Sequence, residues 1–192
     1  MYGTFPLEFQ AQMRPFIAER RVVDLGAGDG ERTLILLALG AASVLAVEKD
    51  PAPWYATPIL GIESFRSQFR DARGKIRDRD IEVAHLAWPL NHDSLGLIDI
   101  LEELRMVIYV GSNTSGNACG TQALFAHFNA REVLAYVPAR ANTLIVYGQR
   151  LTGPRALLHW EEHPSLFGRT IIPFSDTMEL FPSTRKLPAR DA

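Results

Sequence analysis

One stretch of this chain leaves few folds open. Val22-Val23-Asp24-Leu25 is a short, mostly apolar run, stopped at once by Gly26-Ala27-Gly28-Asp29-Gly30. Behind the glycines, Glu31 to Leu39 is rich in Leu and Ile at helical spacing and closes on Gly40, and a second apolar run, Ser43 to Glu48, follows. Strand, glycine turn, helix and strand make one βαβ unit, which predicts parallel strands and a right-handed crossover. Glycines let the backbone turn sharply off the strand and come close to a ligand. The helix then points its N-terminal amides and positive dipole end at that ligand.

The same alternation runs through most of the chain. Helical spacing over Pro6 to Arg20 puts Leu7, Phe9, Met13, Phe16 and Ile17 on one broad face. Pro51 to Pro58 reads as a loop, and Ile62 to Arg73 reads either as a helix or as a poor edge strand. Ile81 to Trp88 and Arg105 to Val110 read as buried strands, with a helix between them that ends at Leu104. Thr121 to Phe128 reads as a helix. Arg131 to Val137 and Asn142 to Tyr147 are separated by a gap that suits an antiparallel hairpin and is too short for a helical crossover. The expected fold is a doubly wound, three-layer, Rossmann-like α/β domain, its sheet mostly parallel with an antiparallel C-terminal hairpin. Residues 1–149 are expected to form this domain, with 1–20 as its N-terminal helix and 150–192 as an appendage packed on it.

Composition narrows the function classes. With 192 residues, 47% hydrophobic and 22% charged, the chain reads as globular. A formal net charge of -2 does not favour holding nucleic acid by bulk charge. Arg66, Arg70, Arg73, Lys75, Arg77 and Arg79 cluster, but Asp71, Asp78 and Asp80 are interleaved with them, which predicts a self-paired, solvated face. Cys119 is the only cysteine, so no internal disulfide can form, which fits a reducing compartment. The first residues lack the pattern of a signal peptide, and no apolar stretch is long enough to span a bilayer. A cytoplasmic protein with no membrane partner is expected.

In open α/β sheets, ligands bind beyond the carboxyl ends of the strands, where the strand order reverses. Glu48 ends the second strand, about two dozen residues after Asp24, where a carboxylate can accept hydrogen bonds from both hydroxyls of a ribose. Asp24 to Gly30, Val47-Glu48-Lys49-Asp50 and the final hairpin resemble the class I S-adenosylmethionine-dependent methyltransferase family. The resemblance covers roughly Leu7 to Gly148. It implies S-adenosylmethionine as cofactor, with Gly26, Ala27, Gly28, Asp29 and Gly30 lining its methionine part. Asp24 would reach its amino group, directly or through water, and Glu48 with the adjacent Lys49 would hold the ribose. The family also carries an acid at the end of its third strand, near the adenine. Asp71 is the first candidate for it and Asp80 the second.

The family places its methyl acceptor beside the end of the fourth strand, here His85 to Asp93. Trp88 would form an aromatic wall to cofactor and acceptor, Asn91 would orient the acceptor, and His92 or Asp93 would act as base. An unperturbed pKa of roughly 6.5 suits His92 to proton transfer near neutrality. The plainer readings are that His85 is a core or edge histidine, Trp88 fills the core and Asp93 caps a helix. The polar loop Gly111 to Gly120 lies at the same rim, and Cys119 within it has no evident partner base.

His159-Trp160-Glu161-Glu162-His163 spells the inverted zinc-protease signature, but Pro164 ends any helix there, and no metal is expected. The acceptor is a small molecule or an exposed macromolecular group, with bulk nucleic acid not favoured by charge. The rival readings are a non-catalytic module of the same fold and a nicotinamide-dependent oxidoreductase. The dinucleotide fingerprint asks for Gly or Ala at the position held by Glu31, which weighs against the second.

Overall fold

The computed structural model describes residues 5–50, 58–89, 94–111, 120–138 and 143–151. Within them the chain forms α1 (Leu7–Ile17), β1 (Arg21–Leu25), α2 (Glu31–Ala38), β2 (Ser43–Glu48), β3 (Ile62–Arg66) and α3 (Phe69–Asp78). It continues through β4 (Val83–Ala87), α4 (Ser94–Leu101), β5 (Met106–Gly111), α5 (Gln122–Asn129), β6 (Arg131–Pro138) and β7 (Thr143–Arg150). The sheet order is β3-β2-β1-β4-β5-β7-β6. β1 pairs in parallel with β2 on one side and β4 on the other, so the order reverses at β1. The expected hairpin is present, and its second strand, β7, is the one that pairs antiparallel with β5.

The central strands are buried on both faces, which is why they read as nearly unbroken apolar runs. Successive side chains alternate between two cores. Val23, Leu25, Ala84, Leu86 and Tyr109 face a core closed by α3, α4 and α5. Val22, Val83, Ala87, Ile108 and Val110 face a second core, closed by α1 and α2. On α1 the buried stripe is Phe9, Met13 and Ile17, one residue every four. Leu7, expected on that stripe, is exposed. At 100° per residue it falls off the face that the other three define.

The segment Ile62 to Arg73 is strand and helix in turn. β3 pairs in parallel with β2 from Val44↔Ile62 to Glu48↔Arg66, and α3 starts at Phe69. The strand lacks an apolar signature because it lies at the sheet's edge, with neither face fully buried. The arginine cluster is paired, but mostly with acids outside it: of the interleaved aspartates only Asp71 meets a cluster member, Arg70 at 3.8 Å. Arg73 and Arg77 share Glu103, while Lys75 and Arg79 share Glu63. Exposed pairs of this kind add little stability.

Far from the glycine turn, Arg131 ties four elements together. It is 2% exposed, and its guanidinium donates to Gly148 O at 2.7 Å, to Leu104 O at 3.1 Å and to Leu101 O. The cation thereby satisfies carbonyls at the end of α4, where the helix dipole favours positive charge. Arg131 Nε also donates to His127 Nε2 at 3.2 Å. Burial, then the neighbouring Arg131 and Arg150, push the His127 pKa down to about 4.

The folded state therefore holds His127 neutral, while the unfolded chain protonates it near pH 6.5. Stability is fully present above pH 6.5 and falls as the pH drops toward 4, by about 2 kcal/mol between pH 7 and pH 5. Urea unfolding at the two pH values checks this. His127→Gln should remove this part of the slope.

Candidate functional site

The turn after β1 is shaped by three glycines in the left-handed region, Gly26 (φ 77), Gly28 (φ 57) and Gly30 (φ 80). Residues with a Cβ avoid that region. The Gly26 and Ala27 amides donate to Val47 O at 2.9 and 3.2 Å, hooking the turn onto the end of β2. Gly30 N donates to Ala27 O at 2.9 Å and closes the turn just before α2. Asp29 Oδ1 accepts from Glu31 N at 3.2 Å, so a carboxylate already occupies a first-turn amide of that helix. A Cβ built on Gly28 would meet nothing within 4 Å, which leaves the outer side of the turn open.

Glu48 faces this turn from β2. Its Oε2 accepts from Gly28 N at 2.8 Å, and its Oε1 accepts from Lys49 N at 2.8 Å and Asp50 N at 3.2 Å. Parallel pairing of β1 with β2, Leu25 opposite Val47, brings the two strand ends level. Gly26 to Gly30 and Glu48 therefore meet at the carboxyl ends of β1 and β2.

Asp24 lies in β1, one residue before the strand ends at the turn. It is 1% exposed, facing the α1–α2 side of the sheet, and both carboxylate oxygens are engaged. Thr33 Oγ1, in the first turn of α2, donates to Oδ2 at 2.6 Å. His85 Nδ1 lies 2.7 Å from Oδ1, the imidazole being fully buried. The register pairs Asp24 with His85 directly, and both point to the same face because parallel partners keep the same pleat. His85 is a core histidine, one of the plainer readings of the sequence, but its pairing with Asp24 and the part of Thr33 were not read from the chain alone. The signal for His85 is one imidazole in an otherwise apolar strand, but its partner appears only once β1 and β4 are aligned.

Trp88 leaves the end of β4 at φ 47, an uncommon conformation for a bulky side chain. Its amide donates to Val110 O at 2.8 Å, continuing the contact with β5. The indole sits half-buried, with the Arg32 guanidinium 4.8 Å from its ring centroid and the Phe5 ring 6.2 Å away. Gly120 N donates to Pro89 O at 2.6 Å, bringing the chain just before α5 to the same rim. Asn91, His92, Asp93, residues 112–119 with Cys119, and the His159–His163 motif lie outside the described residues.

Asp71 does not stand at the end of the third strand. β3 ends at Arg66, and Asp71 lies in the first turn of α3, exposed and 3.8 Å from Arg70. Asp80, the second candidate, pairs with Arg21 beyond the far end of α3. The strand's carboxyl end is Arg66-Ser67-Gln68, which carries no acid. Among the described residues, no group of three or more His, Cys, Asp or Glu is placed to hold a metal ion. No described helix is long and apolar enough to cross a membrane.

No protein-family model and no curated relative matches this sequence. Solved structures match its fold. A candidate methyltransferase from Escherichia coli is 14% identical with a TM-score of 0.53, over 79% of this chain and 90% of that one. A candidate RNA methyltransferase from Pyrococcus horikoshii is 14% identical with a TM-score of 0.54, over 75% and 82%. A candidate hemolysin from Lactococcus lactis is 14% identical with a TM-score of 0.55, over 82% and 95%. The chain has the Rossmann-like fold of class I methyltransferases. Chemistry has to be argued from the site itself, since one fold hosts many functions.

The left-handed Gly28 gives a direct test of the turn. Gly28→Ala meets open space, so its cost is conformational and should be about 1–2 kcal/mol. Gly28→Asn should cost less, because Asn tolerates that region. Urea unfolding of both variants measures the difference.

Proposed function

We propose that this chain binds S-adenosylmethionine and transfers its methyl group to a small molecule or an exposed macromolecular group. The observation that carries the reading is the set of carboxylates around the open glycine turn. Glu48 reaches Gly28 N, and Asp29 holds the amide of Glu31. A pyrophosphate bound as in dinucleotide enzymes needs the helix-start amides free. Here it would meet the Asp29 carboxylate instead. A ligand carrying a sulfonium and an ammonium group suits these acids better. This also weighs against the nicotinamide reading.

Two features support room for the methionine part and the ribose of the cofactor. Gly28 has no neighbour on its outer side, and Glu48 keeps acceptor capacity beyond its three amide bonds, enough for ribose hydroxyls. The turn Gly26 to Gly30 would line the methionine part, Glu48 and Lys49 the ribose, and Trp88 the wall toward the acceptor. When bound, S-adenosylmethionine supplies a methyl group already activated on sulfur. The protein's task is then to hold the acceptor in line, and such positioning is worth about 7–11 kcal/mol. Trp88, in contact with Arg32 and beside Phe5, offers an aromatic surface for that purpose.

Calorimetry with S-adenosylmethionine and S-adenosylhomocysteine should show binding with Kd well below 1 mM, worth more than about 4 kcal/mol. Glu48→Gln should weaken both at least tenfold, and Gly28→Arg should abolish both. Binding of reduced nicotinamide dinucleotide with neither adenosyl compound bound would overturn the reading.

A further inference from the structure

Every position of β4 is apolar except His85. A strand buried on both faces is built from such residues, and an imidazole among them needs a reason. Half of the reason is visible, since Nδ1 faces Asp24 Oδ1 at 2.7 Å and thereby meets a buried carboxylate. The other half is not. His85 Nε2 is fully buried and has no partner among the described residues. Such atoms are rare, and they occur where a ligand, an ordered water or a catalytic task accounts for them.

The surroundings say which end of the site this serves. Thr33 ties the same carboxylate to the first turn of α2, directly behind the glycine turn. Phe5 stands edge-on to the His85 ring at 5.2 Å and also lies beside Trp88, at the end of β4. Thr33, Asp24 and His85 thus link the helix behind the turn, the strand leading into it, and the neighbouring strand across the switch point. Asp24 is 1% exposed and each of its oxygens already holds one side-chain partner, Thr33 on Oδ2 and His85 on Oδ1. Its charge acts through the groups that hold it. An Asp that orients an imidazole and leaves the far nitrogen available is a recurrent way to present one polar atom in a defined direction.

We propose that His85 is a positioning residue for the amino-acid end of the bound adenosyl ligand. Held by Asp24, which Thr33 holds in turn, it offers Nε2, the ring atom left without a partner among the described residues, as an acceptor for the ligand's ammonium group. The inference rests on the reading under Proposed function and adds a residue that it does not use.

The test compares two ligands on the full chain by calorimetry. S-adenosylhomocysteine carries the amino-acid end, and 5′-methylthioadenosine shares its adenosyl part but lacks that end. The unaltered chain must bind both, and binding of neither overturns the cofactor reading itself. His85→Phe keeps a flat ring but no polar atom. It should weaken S-adenosylhomocysteine at least tenfold and leave 5′-methylthioadenosine within about twofold. His85→Gln, whose longer amide reaches the position of Nε2, should recover part of the loss. If His85→Phe does not fold, Thr33→Val takes its place, with the same selective loss expected. Equal weakening of both ligands in the folded variants, or no change in either, overturns the assignment of His85 while leaving the cofactor reading intact.

Discussion

The parallel pairing of β1 with β2 on one side and β4 on the other is the constraint on which the rest of this molecule depends. Because the chain crosses in opposite directions from these neighbours, a crevice opens at their carboxyl ends. The glycine turn lies in that crevice because it is the direct continuation of β1. Glu48 faces the turn because β2 ends level with it. Asp24 meets His85 because β4 runs in parallel register against the other edge of β1. A shift of one residue in either pairing would turn these side chains to opposite faces of the sheet.

The sheet separates two kinds of work. On the α3–α5 face the aromatic rings of Tyr109, Phe125, Phe128 and Tyr147 pack against one another, with Phe128 and Tyr147 stacked at 4.6 Å. Arg131 binds the ends of α4, α5 and β7 into the same unit. That face is a framework. The α1–α2 face is apolar over most of its extent but admits Asp24, Thr33 and His85 just beneath the turn. Placing a carboxylate and an imidazole in a core is costly unless their partners are supplied. Three elements supply them here, and the cluster lies immediately behind the proposed ligand rather than deep in the framework.

Proteins of this fold include ones given quite different names, a hemolysin among them. Discrimination therefore falls to the electrostatics of the turn. Asp29 and Glu48 occupy amides that a phosphate would need, while the outer side of Gly28 remains clear. The same glycine scaffold can cradle an anion or a cationic sulfonium, and the neighbouring side chains decide which one is favoured.

Much of this was legible in the linear order of residues. The βαβ unit, the C-terminal hairpin and the convergence of Gly26 to Gly30 with Glu48 follow from local patterns, because turns, strand ends and apolar periodicity are properties of adjacent residues. The edge strand β3 was not legible, since an edge strand needs no apolar face. Asp71 was misplaced for the same reason, its strand ending five residues earlier at Arg66. Leu7 was drawn into a stripe it does not share. The Thr33–Asp24–His85 chain was hidden most completely. Asp24 and His85 lie 61 positions apart, and only the register between β1 and β4 makes them neighbours. Sequence alone determined that a glycine turn leaves β1, because that is a matter of backbone freedom. Tertiary structure decided which side chains stand behind it, because that depends on pairing between distant strands.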